Sequence, residues 1–359
     1  MKVALVHDYL IDYGGAEVVL SALHEIYPQA PLYTLVLEKK RLGKFWGKFK
    51  DAKIITSWFN DLPFASRLIS PLRFLLPLIW TSFDFSDFDV VITSASWAIT
   101  KGVKKGNKTI EICYLHTPPR YLYGYDTSRK WQCRWFAPLI DFYALIVNHF
   151  LRQFDFKQAQ KVDYFVANSE NVGQRIKKFY RRSYQVLYPP VEIPSSGSSF
   201  SGIKRNYFLT GGRLVVSKNF DLVIKACQKL GKPLKIFGVG PEETKLKKLA
   251  GKKIEFVGQV TDAERSKLYQ GAKAFIAAQK DEDFGLTPVE AQGNGCPVIA
   301  FRGGGYLESV VENKTGIFFD QLTAESLEEA IKKLERVRLN SAVFGKPGNL
   351  PKQSLKKKW

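Results

Sequence analysis

Two carboxylates, two cations and one imidazole stand where they could grip a ligand carrying both phosphate and hydroxyl groups. Glu282 lies in the loop Asp281-Glu282-Asp283-Phe284-Gly285, behind an apolar strand expected over 274–278 and ahead of a helix, and Glu290 follows eight positions later. Carboxylates at the carboxyl end of a strand, beside a helix amino terminus, are placed to hold hydroxyls next to a bound anion. Thr287-Pro288-Val289-Glu290 also reads as a capping box with proline at the first helical position, so Glu290 has a structural duty open to it. Glu282 has none. Arg213 and Lys218 flank another strand-to-helix turn, Gly211-Gly212-Arg213, with Ser217 as the expected cap of a helix over 218–230. Cations at a helix amino terminus oppose its dipole, and an anion such as a diphosphate between them would relieve that. His116 closes the strand-like Ile110–Leu115 just before Thr117-Pro118-Pro119-Arg120. His7 also closes a strand, but it reads as structural, as do His24 and His149.

The elements that must carry these residues alternate along the chain. A strand at Val3–His7 leads through Gly14-Gly15-Ala16-Glu17 into a helical run over 18–26, the opening unit of a doubly wound fold. The dinucleotide fingerprint G-x-G-x-x-G is absent, which argues against a nicotinamide enzyme. Further strands are expected over 90–93, at Ile110–Leu115 and at Tyr164–Ala167; Asn168-Ser169 then caps a helix over Glu170–Tyr180. Tyr188-Pro189-Pro190-Val191 is stiff, and the SSGSSFSG stretch over 195–202 is flexible, marking a domain break. Beyond it strands over 207–209, 234–237, 254–257, 274–278 and 297–300 alternate with helices, the last running over 324–338. This pattern builds a parallel sheet wrapped by helices. The expected domains are 1–190 and 191–340, with a basic tail at 341–359.

Composition bounds the partners. Lys and Arg number 54 against 34 Asp and Glu, a net charge of +20. Residues 1–190 hold 26 against 16 and residues 191–359 hold 28 against 18, so each half contributes +10. An excess spread this evenly is unlike a localised nucleic-acid arm and suits an anionic surface. Lys39 to Lys53 interleaves Phe45, Trp46 and Phe49 with seven cations, and residues 62–80 and 131–150 are strongly apolar. Pro71 and Pro77 break the former and Pro138, Asp141 and Asn148 interrupt the latter, so neither reads as a spanning helix; both suit a protein resting on a bilayer. Four scattered cysteines show no metal-like spacing, and the strand-like start shows no signal peptide, which together predict a cytoplasmic location.

Glu282-Asp283-Phe284-Gly285 with Glu290, Gly212-Arg213-Leu214 with Lys218, Gly14-Gly15-Ala16-Glu17, and Asn168-Ser169 ahead of Tyr188-Pro189-Pro190-Val191 together resemble the retaining nucleotide-sugar glycosyltransferases of family four. The resemblance runs from residue 1 to about 338. It implies an α/β chain of two Rossmann-like domains facing each other across a cleft, the GT-B fold, with acceptor on the amino-terminal domain and nucleotide sugar on the other. The stretch 113–122 is similar to members that build cell-surface polysaccharide and lipid-linked glycans, several of them mannosyltransferases using GDP-mannose. Carried over by position, Arg213 and Lys218 would hold the donor diphosphate, and Glu282 with the amides of Phe284 and Gly285 would grip the sugar. Glu290 would bind the ribose, His116 would contact the transferred sugar, Gly15 would lend an amide near the phosphates, and Val257 and Val260 would flank the base. No metal and no separate cofactor are implied. The expected partners are a lipid-linked or polysaccharide acceptor and the anionic inner face of the cell membrane, with no nucleic acid. A sugar-nucleotide epimerase of the same fold and a basic nucleic-acid-binding protein are the alternatives. One departure stands out: Asp283 occupies the place of the family's usual glycine, a strained position for aspartate if it needs positive φ.

Overall fold

The computed structural model describes residues 1–127, 137–191 and 205–337. These fall into two compact units that divide after Pro190. The serine-rich stretch over 195–202, the first part of the apolar 131–150 segment and the tail at 341–359 lie outside the described residues.

The first unit carries strands β1 (Val3–His7), β2 (Leu32–Thr34), β3 (Ile54–Thr56), β4 (Val90–Ala95), β5 (Ile110–Leu115), β6 (Tyr164–Ala167) and β7 (Gln185–Val186). They form one parallel sheet in the order β3-β2-β1-β4-β5-β6-β7. The second unit carries β8 (Tyr207–Gly211), β9 (Leu234–Phe237), β10 (Ile254–Gly258), β11 (Ala272–Ala277), β12 (Val298–Phe301) and β13 (Gly316–Phe319), ordered β10-β9-β8-β11-β12-β13. Its pairings are parallel as well. Both are Rossmann-like α/β units. In each, the strand order reverses once, between β1 and β4 and between β8 and β11. Such a reversal opens a crevice at the carboxyl ends of the two strands, where ligands of open α/β sheets bind.

Period-two alternation explains why these strands are buried on both faces. Along β11, Ala274 and Ile276 join a cluster with Phe220, Val223, Ile224, Leu327 and Ile331, while Phe275 and Ala277 join Tyr269, Ala291 and Val298 on the other side. Along β1, Ala4 and Val6 face one cluster and Val3 and Leu5 the other. Full burial of a side chain such as Phe275 or Ile276 stabilises the fold by about 1.5–3 kcal/mol.

The helices that matter for the site are α1 (Gly15–Ile26), α2 (Ala137–Lys161), α3 (Glu170–Tyr180), α4 (Phe220–Lys229), α5 (Glu243–Leu249), α6 (Asp262–Gly271), α7 (Leu286–Gly293) and α8 (Ala324–Arg336). Ser169 caps α3 through the Val172 amide, as its sequence position predicts. Pro138, Asp141 and Asn148 interrupt the apolar run without breaking the helix, since α2 continues for 25 residues. Pro138 lies in its first turn, where no intrahelical amide is lost, and Asn148 is used to hold Arg73 and the Tyr121 carbonyl. Ser217 does not cap α4; it lies in a short 3₁₀ turn, Val216–Lys218, and Asn219 in left-handed conformation precedes the helix. Among the described residues no helix is long and apolar enough to cross a membrane.

Candidate active site

The site of the second unit is built on the reversal between β8 and β11. After β8 the chain turns through Gly212 at φ +121°, a conformation that suits glycine, and Arg213 is exposed on the turn. The Lys218 side chain folds back toward Gly212. Asn219 then reaches across the reversal: its side-chain amide donates to the Ala278 carbonyl at 2.8 Å, just beyond β11. This bond ties the cation-bearing loop to the strand that feeds the acidic loop. The consequence is direct. Lys218 Nζ lies 3.5 Å from Glu282 Oε2, joining two residues that are 64 positions apart in sequence.

Glu282 is held from beneath. Its carboxylate accepts from the Asp283 amide at 3.3 Å and from the Tyr306 hydroxyl at 3.3 Å. Its carbonyl accepts from the Gly305 amide at 2.8 Å. Gly303-Gly304-Gly305 lies so close under this loop that a Cβ on Gly304 would stand 2.5 Å from the Glu282 carbonyl oxygen, and one on Gly305 would stand 2.4 Å from the Asp283 carbonyl oxygen. The triplet is visible in the sequence, but no motif there assigns it this supporting role, and Tyr306 carries no signal at all. Asp283 lies outside the left-handed region, so aspartate is unstrained where glycine was expected. Gly285 does need positive φ, at +89°, and it opens α7 with Phe284 buried behind it.

Glu290 departs from its expected capping role. Gly285 precedes α7, Thr287 and Pro288 are already inside it, and no side-chain cap bond forms. Glu290 Oε2 instead accepts from the Tyr269 hydroxyl at 3.1 Å and pairs with Arg265 Nε at 3.1 Å. Burial, and then the charge of Glu290, hold the Tyr269 phenol well above its ordinary range, so it stays a donor to the carboxylate. The connection between β10 and α6 is a third strand-to-helix turn, where Thr261 and Glu264 form a capping box. Val260 is buried in the core cluster with Tyr269 and Phe275, and Val257 packs against it, so both side chains turn inward. Gly258, at the end of β10, has φ +79°.

The first unit holds a second candidate site at its own reversal. Gly15 is the first residue of α1, whose amide has no acceptor within the helix. Glu17 turns back to accept from the Gly14 amide at 2.8 Å. His116 is buried at the end of β5, with Nε2 2.9 Å from Ser94 Oγ and its carbonyl accepting from the Asn168 amide group. His7 is not merely structural packing: it shares Ser94 with His116.

Similarity to known proteins follows this geometry. Residues 197–348 match the family model for glycosyl transferases group 1. The match lies within the carboxyl-terminal unit. The chain is 26% identical over 203 residues to the UDP-N-acetylglucosamine–peptide N-acetylglucosaminyltransferase GtfA subunit of Streptococcus pneumoniae, covering 53% of this chain and 40% of that protein. It is 30% identical over 185 residues to the alpha-monoglucosyldiacylglycerol synthase of Acholeplasma laidlawii, covering 48% and 44%. It thus spans less than half the length of these curated relatives. Among solved structures, Anabaena Alr3699/HepE in complex with UDP-glucose aligns with a TM-score of 0.66 at 17% identity, over 94% of this chain and 90% of that one. That likeness extends through both units and shows the fold. With the two doubly wound sheets it shows a GT-B-like fold of two Rossmann-like units.

Proposed function

We propose that the protein is a retaining, metal-independent glycosyltransferase that moves a hexose, mannose favoured, from a nucleoside diphosphate sugar to a lipid-linked or polysaccharide acceptor at a membrane surface. One observation carries this reading: a cation loop and a carboxylate loop meet at the strand-order reversal of the second unit, joined through Lys218 and Glu282. In it, Arg213 and Lys218 hold the diphosphate and bear its charge as the bond from the sugar C1 to the leaving oxygen breaks. Glu282 accepts from sugar hydroxyls, with the Phe284 and Gly285 amides alongside. Glu290 accepts from the ribose while Arg265 and Tyr269 fix its direction. His116 and Gly15 act from the first unit. The bonding pair of the broken bond goes to the diphosphate, the acceptor oxygen bonds C1 on the same face, and a diphosphate oxygen takes the acceptor proton. Preference for mannose, as GDP-mannose, rests on the 113–122 stretch.

An apolar surface on the first unit supports the membrane part. Leu139, Phe142, Leu145, Ile146 and Phe150 recur three and four apart on α2 and are all exposed. Phe74 and Leu78 are exposed on the segment that Arg73 fastens to α2 through Asn148 and Tyr143. The synthase relative is named for a glycolipid product. Such a stripe on a chain of net charge +20 suits an anionic bilayer at the inner face of the membrane.

The test is a thermal-shift screen of GDP-, UDP- and ADP-sugars, followed by transfer to a lipid-linked acceptor with and without chelator. Expected are stabilisation by one sugar nucleotide, acceptor-dependent release of nucleoside diphosphate, an unchanged anomeric configuration by NMR, and turnover that survives chelation. Stabilisation by none of the donors would refute the reading; chelator-sensitive turnover would remove metal independence, and an inverted product would remove retention.

A further inference from the structure

The carboxyl edges of three adjacent strands in the first unit are joined by a continuous buried chain of polar groups. Glu17 Oε1 lies 3.4 Å from His7 Nε2, His7 Nδ1 lies 3.0 Å from Ser94 Oγ, and the same oxygen lies 2.9 Å from His116 Nε2. All four residues are less than 9% exposed. Strand register makes the arrangement: His7 pairs with Ser94 across β1 and β4, Ser94 pairs with Tyr114 across β4 and β5, and His116 is two residues beyond Tyr114. Two residues on a strand path return to the same face, so the three side chains stand in a row. Glu17 adds the far end, because its other oxygen is fixed by the Gly14 amide.

We propose that Glu17, His7 and Ser94 are positioning residues that set which ring nitrogen of His116 carries its proton. The proposal rests on the reading of His116 as a sugar-contacting residue, and the chemistry runs in one direction. An ionised carboxylate only accepts, so the His7 nitrogen facing Glu17, Nε2, carries a proton. A singly protonated His7 then has a lone pair on Nδ1, which accepts from the Ser94 hydroxyl. The serine has one proton, so having given it to His7 it can only accept from His116, whose Nε2 must be the protonated nitrogen. His116 Nδ1 is thereby left as an acceptor, the form that takes a hydrogen bond from a sugar hydroxyl. The buried serine transmits the direction, because its hydroxyl accepts from one ring and donates to the other and cannot donate to both.

With only four histidines in the chain, selective ¹⁵N-histidine labelling resolves the tautomer of each by long-range ¹⁵N–¹H correlation in the full-length protein. The expected wild-type spectrum shows both His7 and His116 as Nε2–H tautomers. Ser94→Ala should turn the His116 pattern into an averaged one and lower kcat on the order of tenfold to a hundredfold with donor KM unchanged, as for a misplaced catalytic group. Ser94→Thr, which keeps the hydroxyl, should restore both. Glu17→Leu should disturb His116 as well as His7, while Glu17→Gln, which keeps an acceptor oxygen, should disturb them less. A His116 tautomer indifferent to Ser94→Ala, or a Glu17→Leu effect confined to His7, overturns the relay. So does a Ser94→Thr variant as impaired as the alanine. The ring readout needs no turnover, so a wild-type protein that transfers no sugar refutes the functional reading while the spectra still decide the relay.

Discussion

Gly305→Ala isolates the support beneath Glu282 from every other property of the site. Gly305 has φ −67° and ψ −9°, a conformation alanine adopts freely, so any cost is steric. The added methyl would stand 2.4 Å from both the Asp283 carbonyl oxygen and the Phe284 Cα, where ordinary contact begins at 3.4 Å. Both neighbours are backbone and cannot swing aside. The acidic loop must therefore move by about 1 Å, and displacements of that size at a reacting centre cost on the order of a hundredfold in rate. Overpacking of this kind costs about 1–3 kcal/mol. With roughly 2–4 °C per kcal/mol for a domain of this size, Tm should fall by about 2–12 °C. The assay pairs thermal unfolding with calorimetric binding of the sugar nucleotide that stabilises the protein, and then with steady-state kinetics. Gly47→Ala, where the methyl meets nothing within 4 Å, is the control and should change none of these. A Gly305→Ala protein with wild-type Tm and wild-type turnover would refute the claim that the glycine triplet sets the acidic loop.

Glu282→Ala should lower transfer by orders of magnitude with a folded protein by circular dichroism; near-normal turnover would remove Glu282 from the site. Arg213→Ala and Lys218→Ala should each weaken nucleoside diphosphate binding about tenfold or more, the value of one charge-assisted hydrogen bond, and an unchanged calorimetric Kd would refute the assignment. Phe142→Asp with Leu145→Asp should abolish flotation with anionic vesicles, while wild-type binding should rise with anionic lipid and fall with salt; indifference to both would remove the membrane claim. Glu111 is fully buried, and burial pushes its carboxyl up to about 7 even though the Gly102 and Val103 amides donate to it. The unfolded chain therefore releases this proton first, so stability falls as pH rises from about 4.5 to 7, by at most about 1.4 kcal/mol per pH unit. Glu111→Gln should flatten that stretch of the urea-unfolding profile against pH, and an unaltered slope would count against it.

The doubly wound order was legible wherever an apolar run met a turn signal, as at Val3–His7 before Gly14-Gly15 and at Tyr164–Ala167 before Ser169. Four strands were not. Leu32–Thr34 and Ile54–Thr56 have only three residues each and Gln185–Val186 only two, too few for alternation to register, and Gly316–Phe319 follows a bridging loop with no cap signal of its own. Glu290 shows the limit at the site. Thr287-Pro288-Val289-Glu290 has the spacing of a capping box, yet the helix begins earlier, and Arg265 and Tyr269 claim the carboxylate from another element. Local pattern fixes local bonds only when no distant partner competes. Asn219 and Tyr306 were invisible for the same reason, since Asn219 acts across the reversal of strand order and Tyr306 from the turn after the neighbouring strand β12, contacts that spacing does not record. His7 could be seen to end a strand; that it shares a serine with His116 depended on register across β4.

Under the proposed reading, the contact between Lys218 and Glu282 would make donor binding an exchange rather than an addition. The ammonium and the carboxylate face each other at 3.5 Å, so an arriving diphosphate would compete with Glu282 for Lys218. As Lys218 turns to phosphate, Glu282 regains acceptor capacity at the moment a sugar hydroxyl arrives to use it. A free nucleoside diphosphate supplies the first half of this trade without the second and leaves a carboxylate with less than it had. On that reading, discrimination between the intact donor and its spent product would rest on one side-chain pair.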